Sequence, residues 1–446
     1  MTRRSAALVC LILSFLPSAQ AGESLSVLRD AEIEGTIRLL ADPLFRAVNI
    51  PPSNVTIRIL NNRSLNAFVP SSRYIVLHSG LLEEVATPEQ LIGVIAHEVG
   101  HIAGGHVARL QGELKKAQMS MLVAQALGII AGAVSGRIDA GLAAATLGSH
   151  VAQRSLFAFS RAQEASADAF AMKALGAAGY SAQGLSDFFR ILEGQEYLAA
   201  ANQDPYARTH PLSRDRIVTI ERHVQKQSLP TALTEGAIHR HERMRAKLFA
   251  FLRPLPQTLI RYPEHDVSWV ARYARSIAYF RQGDLARALP LIDQLISENS
   301  TDPYLHELRG QMLVEQGRVA DGLPSYQRAA ELLPKSPLIA TSYGHALLEH
   351  GTPVSLEKAI SALQKAVLYE PGNSMAWKFL GTALGRTGET GKAAYALAEY
   401  KLLIGNPQQA LFHVEKALKL LRKRSPLRLR AQDIKAQAQA QLASRK

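Results

Sequence analysis

Early in the chain the apolar positions alternate, and later they recur with the period of a helix. Residues 54–60 alternate apolar and polar side chains, and 65–69 and 74–78 are two further short apolar runs bounded by polar residues. Three strands and a small sheet are expected there. From Thr87 the period changes. Leu91, Val94 and Ile95 recur at helical spacing behind a threonine suited to capping, with Pro88 at the first helical position and Glu89 in the first turn. Gly104 and Gly105 either end that helix or mark a close-packing point.

Beyond residue 265 the pattern repeats. Starts at Trp269, Pro303, Pro337 and Ser374 bring Gly283, Gly317, Gly351 and Gly388 to the turn between two helices of each unit. The spacing of 34 residues between the first three starts is that of tetratricopeptide repeats, whose small residues let paired helices approach and whose prolines end the second helix. The third unit needs three extra residues near Pro353, expected in the turn. Gly405, Ala410 and Ala417 carry the array on into a capping helix at 427–443. Pro254, Pro256 and Pro263 mark 251–264 as a linker.

The chemistry concentrates in His97-Glu98-Val99-Gly100-His101. A helix carries positions four apart to one face, so His97 and His101 can offer imidazole nitrogens to one tetrahedral metal ion, with Glu98 beside it as general base. A third ligand six residues beyond His101 is excluded, because that position is Val107 and His106 falls one residue short. A second helix supplies a better candidate. In residues 160–172, Glu164 and Asp168 lie one turn apart on one face, so that Glu164 can bind the metal while Asp168 accepts the second N–H of a ligating histidine. The competing reading of this pair is a solvated face paired to Arg161 or Lys173.

These residues resemble the gluzincin metallopeptidases of the HtpX and CAAX prenyl protease family. That pattern joins HExxH to a later ExxxD helix and a short His-Pro segment, here His210-Pro211 within 209–217, and the match covers roughly residues 25 to 225. The resemblance implies that His210 lies near the metal, either polarising the carbonyl and its oxyanion or occupying the open coordination position at rest. It implies that Arg216 anchors the segment or contacts substrate. The plain alternative for His210 is a turn residue before a proline. Membrane members of the family carry spans between the motifs. Here 119–134 is nearly uncharged, with Gly128, Gly132 and Gly136 four apart, but it is shorter than the ~20 residues a bilayer core requires. A buried or interfacial hairpin able to touch the membrane is expected across 119–150, rather than a span.

Arg3 and Arg4, an apolar run over 6–16 and Ala19-Gln20-Ala21 form a secretory signal, so the mature chain is expected to begin at Gly22. The one cysteine, Cys10, falls inside it. Of 446 residues, 51 are Lys or Arg and 38 Asp or Glu, a net charge of +13 with its densest basic run at 416–430. Without a nucleic-acid-binding signature, this charge favours acidic partners or an anionic membrane surface. The expected fold is mainly α: an α+β gluzincin metallopeptidase domain with a small sheet over 22–250, the linker at 251–264, and an α-solenoid of tetratricopeptide repeats over 265–446. An exported gluzincin joined to such repeats resembles the periplasmic proteases that serve outer-membrane protein assembly in Gram-negative bacteria. That resemblance implies an endopeptidase with one Zn2+ per chain, held by His97, His101 and Glu164. It would degrade misassembled outer-membrane proteins and assist their assembly, its repeats engaging unfolded clients or the β-barrel assembly machinery. The rival is a chaperone or interaction scaffold with a latent or structural zinc site. Glu98 separates the two, since it binds no metal in either.

Overall fold

The computed structural model describes residues 26–110, 112–113, 115–116, 119, 159–193, 205–227 and 233–444. The signal segment and nearly all of 119–150 lie outside the described residues. Strands β1 (Val27–Leu28), β2 (Thr56–Leu60), β3 (Ala67–Ser71) and β4 (Tyr74–His78) form one sheet in the order β1-β2-β4-β3. The β2 and β4 strands pair in parallel, the other neighbours antiparallel. Two of the three expected strands begin two residues later than their apolar runs. With only two residues, β1 is too short to show a period.

Helix α1 (Ala31–Ala47), N-capped by Asp30, packs Ile37, Leu40, Leu44 and Phe45 into the same core as Ile57, Ile59, Ile75 and Leu77 of the sheet. After α2 (Ser79–Glu84), helix α3 (Pro88–Ala103) starts at a reciprocal capping box between Thr87 and Gln90. Every residue of α3 from Gln90 to His101 is buried. Four helices lie around it: α4 (159–177), α5 (Gln183–Leu192), α6 (Pro205–Thr209) and α7 (Arg214–Lys226). Backbone approach to α4 is close. A Cβ at Gly100 would stand 2.7 Å from the carbonyl oxygen of Ala167, nearer than real contacts allow.

The next helix, α8 (Glu235–Leu252), is followed at once by α9 (Leu255–Arg261). The segment expected as a linker is therefore mostly helical. Phe251, Leu255, Leu259 and Tyr262 pack against the core of the first repeat, so the prolines punctuate a folded connection. The repeats are the pairs α10 (Trp269–Arg281) and α11 (Leu285–Glu298), α12 (Pro303–Glu315) and α13 (Val319–Leu332), α14 (Pro337–His350) and α15 (Pro353–Tyr369), and α16 (Ser374–Arg386) and α17 (Thr390–Leu403). A further pair, α18 (Pro407–Leu420) and α19 (Pro426–Ala443), closes the array. The three extra residues of the third unit do not lie in its turn. They lengthen α15 to 17 residues, against 14 in α11, α13 and α17, because Thr352 caps and Pro353 opens that helix straight after Gly351.

A buried charge network joins the sheet-bearing part to the repeats. Glu32 of α1 accepts a hydrogen bond of 2.5 Å from the Tyr273 hydroxyl and pairs with Arg243 at 2.7 Å and Lys247 at 3.2 Å. Lys247 also reaches Asp30 at 2.7 Å, and Arg243 pairs with Asp302 while stacking over Trp269. Removing one member of such a set leaves buried charge unpaired. Lys247→Met is expected to destabilise the chain by about 3 kcal/mol, seen as a lowered unfolding temperature in scanning calorimetry. An unchanged temperature would show that the network holds nothing together.

Candidate metal centre

The last turns of α3 place His97 and His101 on one side, where α4 brings Glu164 and the chain after α6 brings His210. The His97 Nε2 atom stands 3.0 Å from His101 Nε2, 3.3 Å from Glu164 Oε2 and 3.3 Å from His210 Nδ1. Glu164 Oε1 is 3.4 Å from His101 Nε2, and its Oε2 is 3.2 Å from His210 Nδ1. A tetrahedron built on metal–ligand bonds of ~2.0–2.1 Å has edges of about 3.3 Å. These four side chains are thus spaced as the ligands of one ion, and all four are buried. The tautomers agree. His97 gives its Nδ1 proton to Asp168 Oδ1 at 2.8 Å, which leaves a lone pair on Nε2 facing inward. Lone pairs and a carboxylate converging on one point repel unless a cation lies between them.

The charges of the surrounding groups follow from their contacts. Burial works against charge on the His97 imidazole, but Asp168 and Glu164 outweigh it and raise its pKa to about 9, so a metal ion bound at Nε2 would take the place of a proton there. Burial and the neighbouring His97 and His210 lower that of His101 to about 2. Against the upward push of burial, His210 and His97 hold Glu164 below the usual carboxylate range, and Arg216 and His97 do the same for Asp168. Glu98 differs. Burial raises its pKa, both of its oxygens are buried without a hydrogen bond, and the nearest cationic candidate is His210 Nε2 at 3.6 Å. A carboxyl held so keeps its proton more readily than an ordinary one, which suits a group that takes a proton up and passes it on.

Arg216 spans the site. It donates to Asp168 Oδ2 at 2.6 Å and Oδ1 at 2.9 Å, to the carbonyl of Pro211 at 2.8 Å, and lies 3.1 Å from Glu164 Oε2. These contacts link the His210-Pro211 segment to α4. Glu164 and Asp168 are buried while Arg161 and Lys173 are exposed, so the solvated-face reading of α4 does not apply. Two contacts had no signal in the sequence. Tyr206 stacks on the His210 ring at 4.5 Å, from a helix of only five residues that periodicity cannot detect. Gln163 donates to the backbone oxygen of His106, whose ring lies against His101.

Comparison with known proteins identifies both parts of the chain. A model of peptidase family M48 matches residues 28–224, and one of the tetratricopeptide repeat matches 273–337 and 355–410. The metalloprotease LoiP of Escherichia coli is 30% identical over 187 residues, covering 42% of this chain and 69% of LoiP. The chain belongs to peptidase family M48. It is a metalloprotease of that family with tetratricopeptide repeats behind the peptidase region. It is also 24% identical over 415 residues to a putative β-barrel assembly-enhancing protease of Vibrio cholerae, covering 89% of this chain and 81% of the other. The β-barrel assembly-enhancing protease of Escherichia coli is 22% identical over 358 residues, covering 79% and 72%.

Loss of the Asp168 carboxylate's charge is expected to weaken metal binding with the fold intact. Asp168→Asn should lower zinc affinity ten- to a hundredfold in a chelator competition. Parent-like affinity would mean that the His97–Asp168 contact is dispensable.

Proposed function

We propose that this chain is a periplasmic zinc endopeptidase acting on misassembled outer-membrane proteins, in which His97, His101 and Glu164 hold the metal. The observation that carries the chemistry is the buried, unpartnered carboxylate of Glu98 beside four converging ligand atoms. The donor set of two imidazoles and a carboxylate suits zinc. Bound there, zinc supplies a Lewis acid that makes a water acidic enough to attack a peptide carbonyl at neutral pH. Glu98 takes the proton from that water and returns it to the amine nitrogen of the leaving strand. Asp168 fixes the His97 ring, and Arg216 holds Asp168, Glu164 and the Pro211 carbonyl in one frame. The β3 strand, at the edge of the sheet, offers backbone groups to an extended substrate.

His210 is the latch in this proposal. Its Nδ1, 3.3 Å from His97 Nε2 and 3.2 Å from Glu164 Oε2, would be the fourth group to hold the metal, and an incoming peptide would have to displace it before water and carbonyl could meet. The repeats hold client or assembly machinery, supported by a cavity of about 890 Å³ between the sheet side of the chain and the inner helices of the repeats. Leu28, Phe251, Glu307, His345 and Asn373 are among its lining residues, and none of the proposed zinc ligands is. The proposed boundaries are a signal at 1–21, a peptidase domain at 22–250 and a repeat domain from 265. Among the described residues no helix is long and apolar enough to cross a membrane.

Two outcomes test this function. Glu98→Gln should keep stoichiometric zinc by elemental analysis and lose cleavage of casein at least a hundredfold. Retained cleavage would remove Glu98 from the chemistry, and no zinc in either form would remove the metal centre. His210→Ala should raise basal cleavage of casein several-fold over the parent. Unchanged or lower cleavage would show that His210 is no latch.

A further inference from the structure

We infer that His106 is a positioning residue of the metal centre, which holds the His101 ring by accepting the proton on its outer nitrogen. This inference rests on the metal-centre reading. His101 turns Nε2 towards His97 and Glu164, so as a neutral ligand it carries its proton on Nδ1. That proton faces His106 Nδ1, 2.9 Å away, with the two rings edge to face at 82°. His106 is 3% exposed. Water is therefore a poor competitor for the bond. An accepting Nδ1 places the His106 proton on Nε2 and leaves the imidazole neutral.

The local chain is shaped to bring this ring back. Helix α3 ends at Ala103, and Gly105 takes a left-handed φ of 62°, reversing the path so that His106 returns over the last turn. A Cβ at Gly104 would collide with the His106 imidazole, so both glycines are needed for the ring to lie where it does. The backbone oxygen of His106 accepts from Gln163 Nε2 at 3.2 Å, and Gln163 immediately precedes Glu164. One short segment thus braces His101 directly and the Glu164 helix through the main chain.

The outer partners now form a complete set. His97 has Asp168, Glu164 has Arg216, and His101 has His106. They differ in charge. Asp168 makes His97 the more basic imidazole, whereas a neutral acceptor orients His101 without adding negative charge.

The test is zinc affinity by chelator competition in full-length variants, with thermal unfolding of each metal-free form alongside. His106→Asn keeps an acceptor oxygen near the position of Nδ1, and His106→Leu keeps bulk without an acceptor. The expected result is Asn within about threefold of the parent and Leu weaker by ten- to a hundredfold. Leu equal to the parent, or Asn and Leu weakened alike, would overturn the assignment. Should the metal-free Leu chain not fold, His106→Asp decides. A charged acceptor makes His101 more basic, so zinc should bind tighter to Asp than to Asn, and equal or weaker binding overturns the inference. A parent chain that takes no zinc overturns the metal centre as well. Zinc held equally by parent and Leu overturns only His106.

Discussion

The carboxylate of Asp168 is the contact on which the site is built. Its Oδ1 receives His97 Nδ1 and one Arg216 nitrogen, and its Oδ2 receives another Arg216 nitrogen, so one buried residue of α4 ties α3 to α7. A carboxylate so buried costs several kcal/mol unless it is paired and hydrogen-bonded, and here three N–H groups, two of them from a guanidinium, meet its two oxygens. The arrangement needs helices closer than side chains normally permit. Gly100, between the two histidines, supplies that closeness by letting the α3 backbone meet Ala167, the neighbour of Asp168. The middle of the HExxH motif is therefore a packing requirement as well as a spacer.

The same logic, charge satisfied where it is buried, joins the peptidase region to the repeats. Helix α8 carries Arg243 and Lys247 one turn apart, and both meet Glu32 at the start of α1. Further along, Arg253 pairs with Glu83 of α2 at 2.9 Å. At the third unit Arg29 donates two hydrogen bonds to Glu370, at 2.7 and 2.8 Å. The repeats are thus fixed to the N-terminal part at both the first and third units. These contacts fix the repeats to α1, whose core residues pack with those of α3.

How much of this was legible in the sequence depended on the range of each signal. The ligands on α3 were readable because both lie on one helix whose period, cap and proline are local. Glu164 and Asp168 were readable because their spacing repeats the same helical arithmetic. The contact between the two helices was not, since it depends on Gly100 and Ala167 meeting across 67 residues of chain. His106 stood in plain view and was set aside as one residue short of a ligand. A ligand pattern cannot register a residue that acts through another, and the left-handed glycine that returns it is visible only in three dimensions. In the repeats, glycine spacing placed the helix starts, while the extra residues of the third unit went into α15, because a strong cap at Thr352 fixed the turn first.

The geometry also bears on how a polypeptide reaches this centre. His97 and Glu98 are wholly buried and His210 is 6% exposed, so a substrate cannot meet the proposed ligands unless something that covers them moves. The three segments that carry these four side chains are unequal. His97 and His101 lie on a helix of 16 residues buried over most of its length, and Glu164 lies on another long one. His210 follows a helix of five residues, held by the Tyr206 stack, a backbone bond to the Tyr206 carbonyl and the Arg216 bond to Pro211. Moving it also gives up the approaches of His210 Nδ1 to Glu164 Oε2 at 3.2 Å and to His97 Nε2 at 3.3 Å, while Arg216 keeps both bonds to Asp168 when the Pro211 carbonyl leaves. Were that segment to move, Glu98 and the space between His97, His101 and Glu164 would open together, while the side chains on the two long helices kept their places.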